Sequence, residues 1–87
     1  DCMPAFANAM ETALSLADWK NLDLHRPFVN LTKADLVKNG VELGAPLHLS
    51  WSCYAGRKLH CGKCGTCVER KEAFAIAKVP DPTEYEA

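Results

Sequence analysis

Apolar residues recur at helical spacing in three stretches of the chain and at strand spacing in one. Phe6, Met10, Ala13, Leu14 and Ala17 follow one another mainly at steps of three and four, behind a Pro4 that a first helical turn tolerates. They predict a helix of about fifteen residues starting at Asp1 or Cys2 and ending near Asp18–Asn21. Leu22-Asp23-Leu24-His25 alternates with period two, which predicts a short strand that Pro27 cuts off. Thr32 with Asp35 three residues on resembles a capping box, and the helix it opens places Leu36, Val37, Gly40 and Val41 on one face until Gly44 and Pro46 stop it. His48 to Trp51 reads as a short extended connection, and Ser52 to Thr66 as a loop containing Gly56, Gly62 and Gly65. A third helix is expected from Cys67 through Phe74 to about Lys78, ended by Pro80-Asp81-Pro82.

A lone strand leaves its backbone donors and acceptors unpaired, so its partners are expected in another chain or in a further portion of the protein. The unpaired strand and the short core together make self-association, as a homodimer, an expectation. The chain also opens on Asp1-Cys2 without an initiator Met, which reads as a fragment or a processed product.

Composition sharpens this picture. Hydrophobic residues make up 48% of the 87, but 12 of them are Ala and 5 are Cys, leaving 25 large apolar side chains. A chain of this size buries only about 60–65% of its unfolded surface, so a staple is expected. Leu and Ala outnumber the six Val and Ile, which favours helix and excludes an all-β sandwich. No apolar run approaches the roughly 18 residues of a membrane span, and a net charge of −1 argues against disorder.

The charge is uneven. Residues 1–50 carry a net −2 and the tail 80–87 a net −3, whereas residues 51–79 carry a net +4 from Arg57, Lys58, Lys63, Arg70, Lys71 and Lys78 against Glu69 and Glu72. That basic block holds four of the five cysteines, spaced Cys53-x7-Cys61-x2-Cys64-x2-Cys67. Two successive Cys-x2-Cys steps bring three thiols together, and a loop from Cys53 can bring the fourth. Four thiolates suit a structural zinc ion that has no open catalytic position, and such an ion would staple the small core. Zinc held by four thiolates carries a formal −2, which Arg57, Lys58, Lys63, Arg70 and Lys71 could offset; Cys67 at a helix start would gain from the dipole. Two disulfides would instead need an oxidising compartment, an iron site would use the same donors, and His60 could replace one cysteine. His25 and His48 read as ordinary strand or loop residues, and Cys2 as a small buried apolar side chain.

The strings in this order carry a resemblance. Asp1-Cys2-x-Pro4-x-Phe6, Arg26-Pro27-Phe28-Val29-Asn30-Leu31-Thr32-Lys33-Ala34-Asp35-Leu36-Val37, Glu42-Leu43-Gly44-Ala45-Pro46, Leu49-Ser50-Trp51-Ser52-Cys53-Tyr54, Cys61-Gly62-x-Cys64-x2-Cys67-x2-Arg70 and Pro80-Asp81-Pro82 together resemble the C-terminal part of the 7-cyano-7-deazaguanine synthases. The combination covers essentially the whole chain; no single piece would be specific. The resemblance implies the C-terminal part of an adenine-nucleotide α-hydrolase-like, Rossmann-type α/β fold: an α/β fragment, mainly helical, with about three helices, one short strand and a four-cysteine zinc loop. Residues 1–50 would belong to the nucleotide-hydrolase-like domain, 51–79 would form the zinc loop and helix, and 80–87 a tail.

The family resemblance further implies a cytoplasmic ligase that joins 7-carboxy-7-deazaguanine and ammonia, driven by ATP with Mg2+, to give the nitrile used in queuosine or archaeosine modification of tRNA. Direct nucleic-acid binding is not expected. The Ser-Gly-Gly-x-Asp-Ser loop of such enzymes does not occur in these residues, so the chain alone is expected to be inactive. Met3 stands where many relatives are expected to carry Arg. Cys53, Cys61, Cys64 and Cys67 are the expected zinc ligands. Thr32-Lys33 resembles a helix start in other amidating ATP pyrophosphatases, making Lys33 a candidate for contacting ATP phosphate or the activated carboxylate; a solvated first-turn lysine is the alternative. Asp1 reads as a helix cap or an active-site helper, Arg70 as facing the cluster or a neighbouring helix, and Trp51 and Tyr54 as walls of a purine pocket or packing over the metal loop. The competing classes are a stand-alone zinc module for protein or nucleic-acid interaction, which the near-neutral charge and acidic tail count against, and a redox dithiol protein.

Overall fold

The computed structural model describes residues 3–20 and 22–87. They fall into two compact units, residues 1–31 and 32–87. The described residues contain three α-helices, one 3-10 turn and no sheet.

In the first unit, α1 spans Pro4–Ala17, with Pro4 in the first turn as its missing N–H allows. Its N-cap is Met3, which offers no capping side chain; Asp1 and Cys2, expected to start or cap the helix, lie outside the described residues. The face bearing Phe6 and Met10 stays largely exposed, and no residue of α1 is buried. Arg26 ties the following segment back to α1 through Asn8 and, at 3.4 Å, Glu11. The strand expected at Leu22–His25 does not form: Leu22–His25 lies outside any helix or strand and pairs with no ladder. Pro27 removes a donor just beyond it, and the chain turns at once, with Val29 N–H bonding to Arg26 O (3.2 Å) and Leu31 N–H to Phe28 O (2.9 Å). Among the described residues this segment therefore makes no ladder pairing.

The second unit begins with the expected capping box. Thr32 Oγ1 accepts from Asp35 N–H (3.1 Å) while Asp35 Oδ2 accepts from Thr32 N–H (3.0 Å), opening α2 over Lys33–Glu42. Those bonds, led by the one from the Thr32 backbone, hold the Asp35 carboxyl below its ordinary range. The helix closes in a Schellman arrangement, Ala45 N–H reaching Gly40 O (2.8 Å) and Gly44 N–H reaching Val41 O (3.1 Å). Gly44 sits at φ +71, where a side chain would be strained.

The connection expected to be extended instead winds into a 3-10 turn, η1, at Leu47–Leu49, since Ser50 returns both its N–H (3.1 Å) and its hydroxyl (2.6 Å) to Leu47 O. After the cysteine loop, α3 spans Gly65–Ala77, two residues earlier than predicted, because Cys64 is extended (ψ 163) and serves as N-cap. It ends in the same Schellman pattern, but with Lys78 in the left-handed region at φ 58. α2 packs against α3. The core is small: Ala34, Ala73, Phe74 and Ala77 on the helices, and Cys53, Cys61, Cys67 and His60 on the loop side. No helix is long and apolar enough to cross a membrane among the described residues.

Candidate metal centre

The cysteine loop converges as its spacing predicts. Cys53 follows η1 and the extended Ser50–Ser52 stretch, Cys61 lies beyond the loop that Gly56 helps turn, Cys64 caps α3, and Cys67 lies in its first turn. Their four sulfurs all lie within 4.8 Å of one another; Cys61 and Cys67 Sγ are 4.0 Å apart, and Cys53 and Cys64 Sγ 3.9 Å. A tetrahedral zinc–sulfur shell with bonds of about 2.3 Å requires sulfur separations of about 3.8 Å, so the donors fit such an ion. None of the four is disulfide-bonded.

The backbone is shaped to support anionic sulfur. Cys53 Sγ accepts from the N–H groups of Ala55 and Cys61, both at 3.3 Å. Cys61 Sγ accepts from Lys63 N–H (3.4 Å) and Cys64 N–H (3.2 Å), a turn made possible by Gly62 at φ +75. The amide of Cys61, followed by burial acting in the opposite sense, sets the Cys53 thiol below its ordinary value. The Thr66 hydroxyl, 3.2 Å away, leads the interactions that bring Cys64 down to about 5. Cys67 is completely buried and pushed up to about 12 by that burial. Hydrogen bonds thus favour the ionised form at Cys53 and Cys64, whereas burial opposes it at Cys67. A divalent cation at the centre would offset that cost of burial.

His60 does not join the donors. Its Nε2 accepts from Ser52 N–H at 3.4 Å, and its buried ring lies 4.2 Å from Trp51 and edge-on to Tyr85. Burial, and then the charge of Arg70, hold it below its ordinary pKa. The basic block is only partly what its charge suggests. Arg57 forms a two-pronged pair with Glu86 (2.7 and 2.9 Å), which raises its pKa first, with smaller contributions from Cys61 and Cys53. Lys71 donates to Gly62 O at 3.1 Å, against the Cys61–Cys64 turn. Arg70 turns elsewhere. Its guanidinium reaches Thr83 Oγ1 (2.7 Å), Ser50 Oγ (2.8 Å), Leu47 O (3.2 Å) and Ser52 Oγ (3.3 Å), tying η1 and the tail to α3. Of the two expectations for Arg70, the cluster or a neighbouring helix, the guanidinium follows the second as far as η1, and neutral acceptors from three segments claim it.

Lys33 occupies the first position of α2 and is paired with Glu69 of α3. It borders an apolar hollow of about 220 Å³ with Leu36, Val37, Leu47, Arg70 and Phe74. Trp51 hydrogen-bonds Cys53 O at 2.8 Å and, with His48, Lys58, His60 and Glu84, lines a second hollow of about 320 Å³. Tyr54 is largely exposed and lines neither of these hollows. The tail's part in the site was missed from sequence. Its acidic character masks the period-two pattern Thr83-x-Tyr85, the one signal that it runs extended against the loop.

A largely buried four-thiol shell braced by backbone amides, on a loop leading into a helix, could hold a metal ion. The chain belongs to the family described as "Queuosine biosynthesis protein QueC", whose model matches residues 1–78. It is 49% identical over 88 residues to the 7-cyano-7-deazaguanine synthase 1 of Mesorhizobium japonicum, an alignment covering 99% of this chain and 38% of that protein. The 7-cyano-7-deazaguanine synthases of Methanoregula boonei and Caldicellulosiruptor bescii are each 50% identical over 86 residues, with 99% of this chain and 40% and 39% of those proteins covered. The chain therefore spans about two-fifths of the length of these relatives. No solved structure matches it.

Proposed function

We propose that these residues form the zinc-bearing part of a 7-cyano-7-deazaguanine synthase, a ligase that converts 7-carboxy-7-deazaguanine and ammonia to the nitrile with ATP and Mg2+. The observation that carries the reading is the convergence of Cys53, Cys61, Cys64 and Cys67 in a chain half identical to named synthases. The ion would be zinc and structural: four thiolates leave no position for substrate, and its part is to hold the loop and the start of α3. Residues 1–50 would complete a nucleotide-hydrolase-like α/β domain of Rossmann type, 51–79 the zinc module and 80–87 its tail, in a cytoplasmic enzyme. Lys33 would leave Glu69 to meet ATP phosphate or the activated carboxylate. By itself the chain, which contains no Ser-Gly-Gly-x-Asp-Ser string, is expected to turn over nothing.

The test is a chimera in which residues 1–87 replace the matching segment of the Mesorhizobium japonicum synthase. It should bind about one zinc per chain and form nitrile from 7-carboxy-7-deazaguanine, ammonia and ATP, and Lys33→Met should raise the KM for ATP or lower kcat. A folded, zinc-loaded chimera that forms no product overturns the enzymatic reading. A chimera that holds no metal overturns the zinc reading.

A further inference from the structure

The family model ends at residue 78, yet the residues beyond it close over the metal loop. His60 N–H bonds to Glu84 O at 3.3 Å and Glu86 N–H to His60 O at 2.8 Å, a parallel bridge that sets Tyr85 against the loop. The Tyr85 ring packs on the cluster formed by Cys53, Cys61 and Cys67. It comes so close to Gly62 that a Cβ there would lie 3.5 Å from its Cδ1. Lys71 Nζ lies 4.5 Å from the centre of the same ring while donating to Gly62 O. The strap is braced internally by Asp81, which accepts from Tyr85 Oη (2.6 Å) and Thr83 N–H (2.9 Å), and is anchored by Arg70, which donates to Thr83 Oγ1 (2.7 Å), and by Arg57, which Glu86 grips.

We infer that Tyr85 and Lys71 are outer positioning residues of the metal centre, and that the tail they join is a strap that holds the Cys61–Cys64 turn closed and slows metal release. This rests on the metal-binding reading above. A chelator must reach a sulfur before the ion can leave, and the ring covers the shell on the Cys61 side. The ammonium lies over the turn that bears two of the four donors, where it offsets the net negative charge of a four-thiolate shell. Removing outer partners of metal ligands typically costs about 10–100-fold in metal affinity or activity.

The test follows zinc transfer to a chromogenic chelator from the metal-loaded full chain and its variants, with far-UV circular dichroism confirming equal helicity before transfer. Tyr85→Ala should release zinc about tenfold faster, and Lys71→Gln several-fold faster. Tyr85→Phe, which keeps the ring but loses the bond to Asp81, should fall between the parent and Tyr85→Ala, and Lys71→Arg, which keeps the charge, should stay close to the parent rate. Equal rates for Tyr85→Ala and the parent, with helicity intact, overturn the strap while leaving the zinc reading standing. A parent chain that binds no zinc overturns both. If Tyr85→Ala fails to fold, Lys71→Gln against Lys71→Arg decides: equal rates for that pair overturn the inference.

Discussion

Replacing Arg70 by Met keeps the stem over Phe74, whose ring centre lies 5.8 Å from the guanidinium carbon, and removes only the charged head. Five acceptors lose their donor, the most distant being Ser50 O at 3.5 Å, but unequally. The bonds to Thr83 Oγ1 (2.7 Å) and Ser50 Oγ (2.8 Å) are short, while those to Leu47 O (3.2 Å) and Ser52 Oγ (3.3 Å) are longer. A hydrogen bond to a charged group contributes about 1.5–3 kcal/mol, but Ser50 is exposed and can turn to water, so roughly 1 kcal/mol for each short bond is reasonable. The two longer bonds add a few tenths each, for an expected loss of about 2–3 kcal/mol. Urea unfolding of the zinc-saturated chain, followed by circular dichroism at fixed free zinc, measures it, because metal bound to the native state would otherwise shift the midpoint. Lys cannot reproduce the planar fork, so Arg70→Lys should recover less than half of the loss. A double-mutant cycle with Thr83→Val isolates the tail contact and should give a coupling of about 1 kcal/mol. A loss below about 0.5 kcal/mol for Arg70→Met, or no coupling to Thr83, would refute the claim that this guanidinium joins η1 and the tail to α3.

Cys61→Ser should reduce bound zinc from about one per chain to well under half and lower the helicity of α3, read by elemental analysis and circular dichroism. Lys78→Gly should stabilise the chain by about 0.5–1 kcal/mol in the same unfolding assay, since left-handed backbone costs an ordinary residue about 1–2 kcal/mol and glycine's entropy returns part of the difference. Asp35 has a folded pKa below its ordinary 3.8, so its contribution is present above that value and disappears as pH falls through the depressed one. Asp35→Asn should abolish that segment of the acid unfolding profile, and an unchanged profile would show that the capping box does not titrate as described.

The features legible in the sequence were those built from near neighbours. The Thr32–Asp35 box, the Gly44 stop and the Cys-x2-Cys steps each act over a few residues, so spacing alone exposes them. Leu22–His25 misled because alternation reports which way side chains point, not whether a neighbouring strand exists to accept the backbone bonds. Leu47–Leu49 was missed because the 3-10 turn depends on Ser50 bonding back to Leu47. The basic block was read as a uniform counter-charge, whereas Arg57, Arg70 and Lys71 have three different occupations.

By itself, the sequence determined that four thiols would gather where Gly56 and Gly62 let the chain turn, and that helices would flank them. Those outcomes follow from residue chemistry and local spacing. Only the tertiary structure decided which of the basic residues attends the sulfurs and which fastens the frame. It also decided that an acidic tail lies along His60 with Tyr85 against the shell. Arg57 meets Glu86 across 29 residues and Arg70 meets Thr83 across 13, separations at which no periodicity links the partners. Such pairings exist only once burial has brought distant segments together, and there each charged group settles on the donors or acceptors that folding leaves within reach.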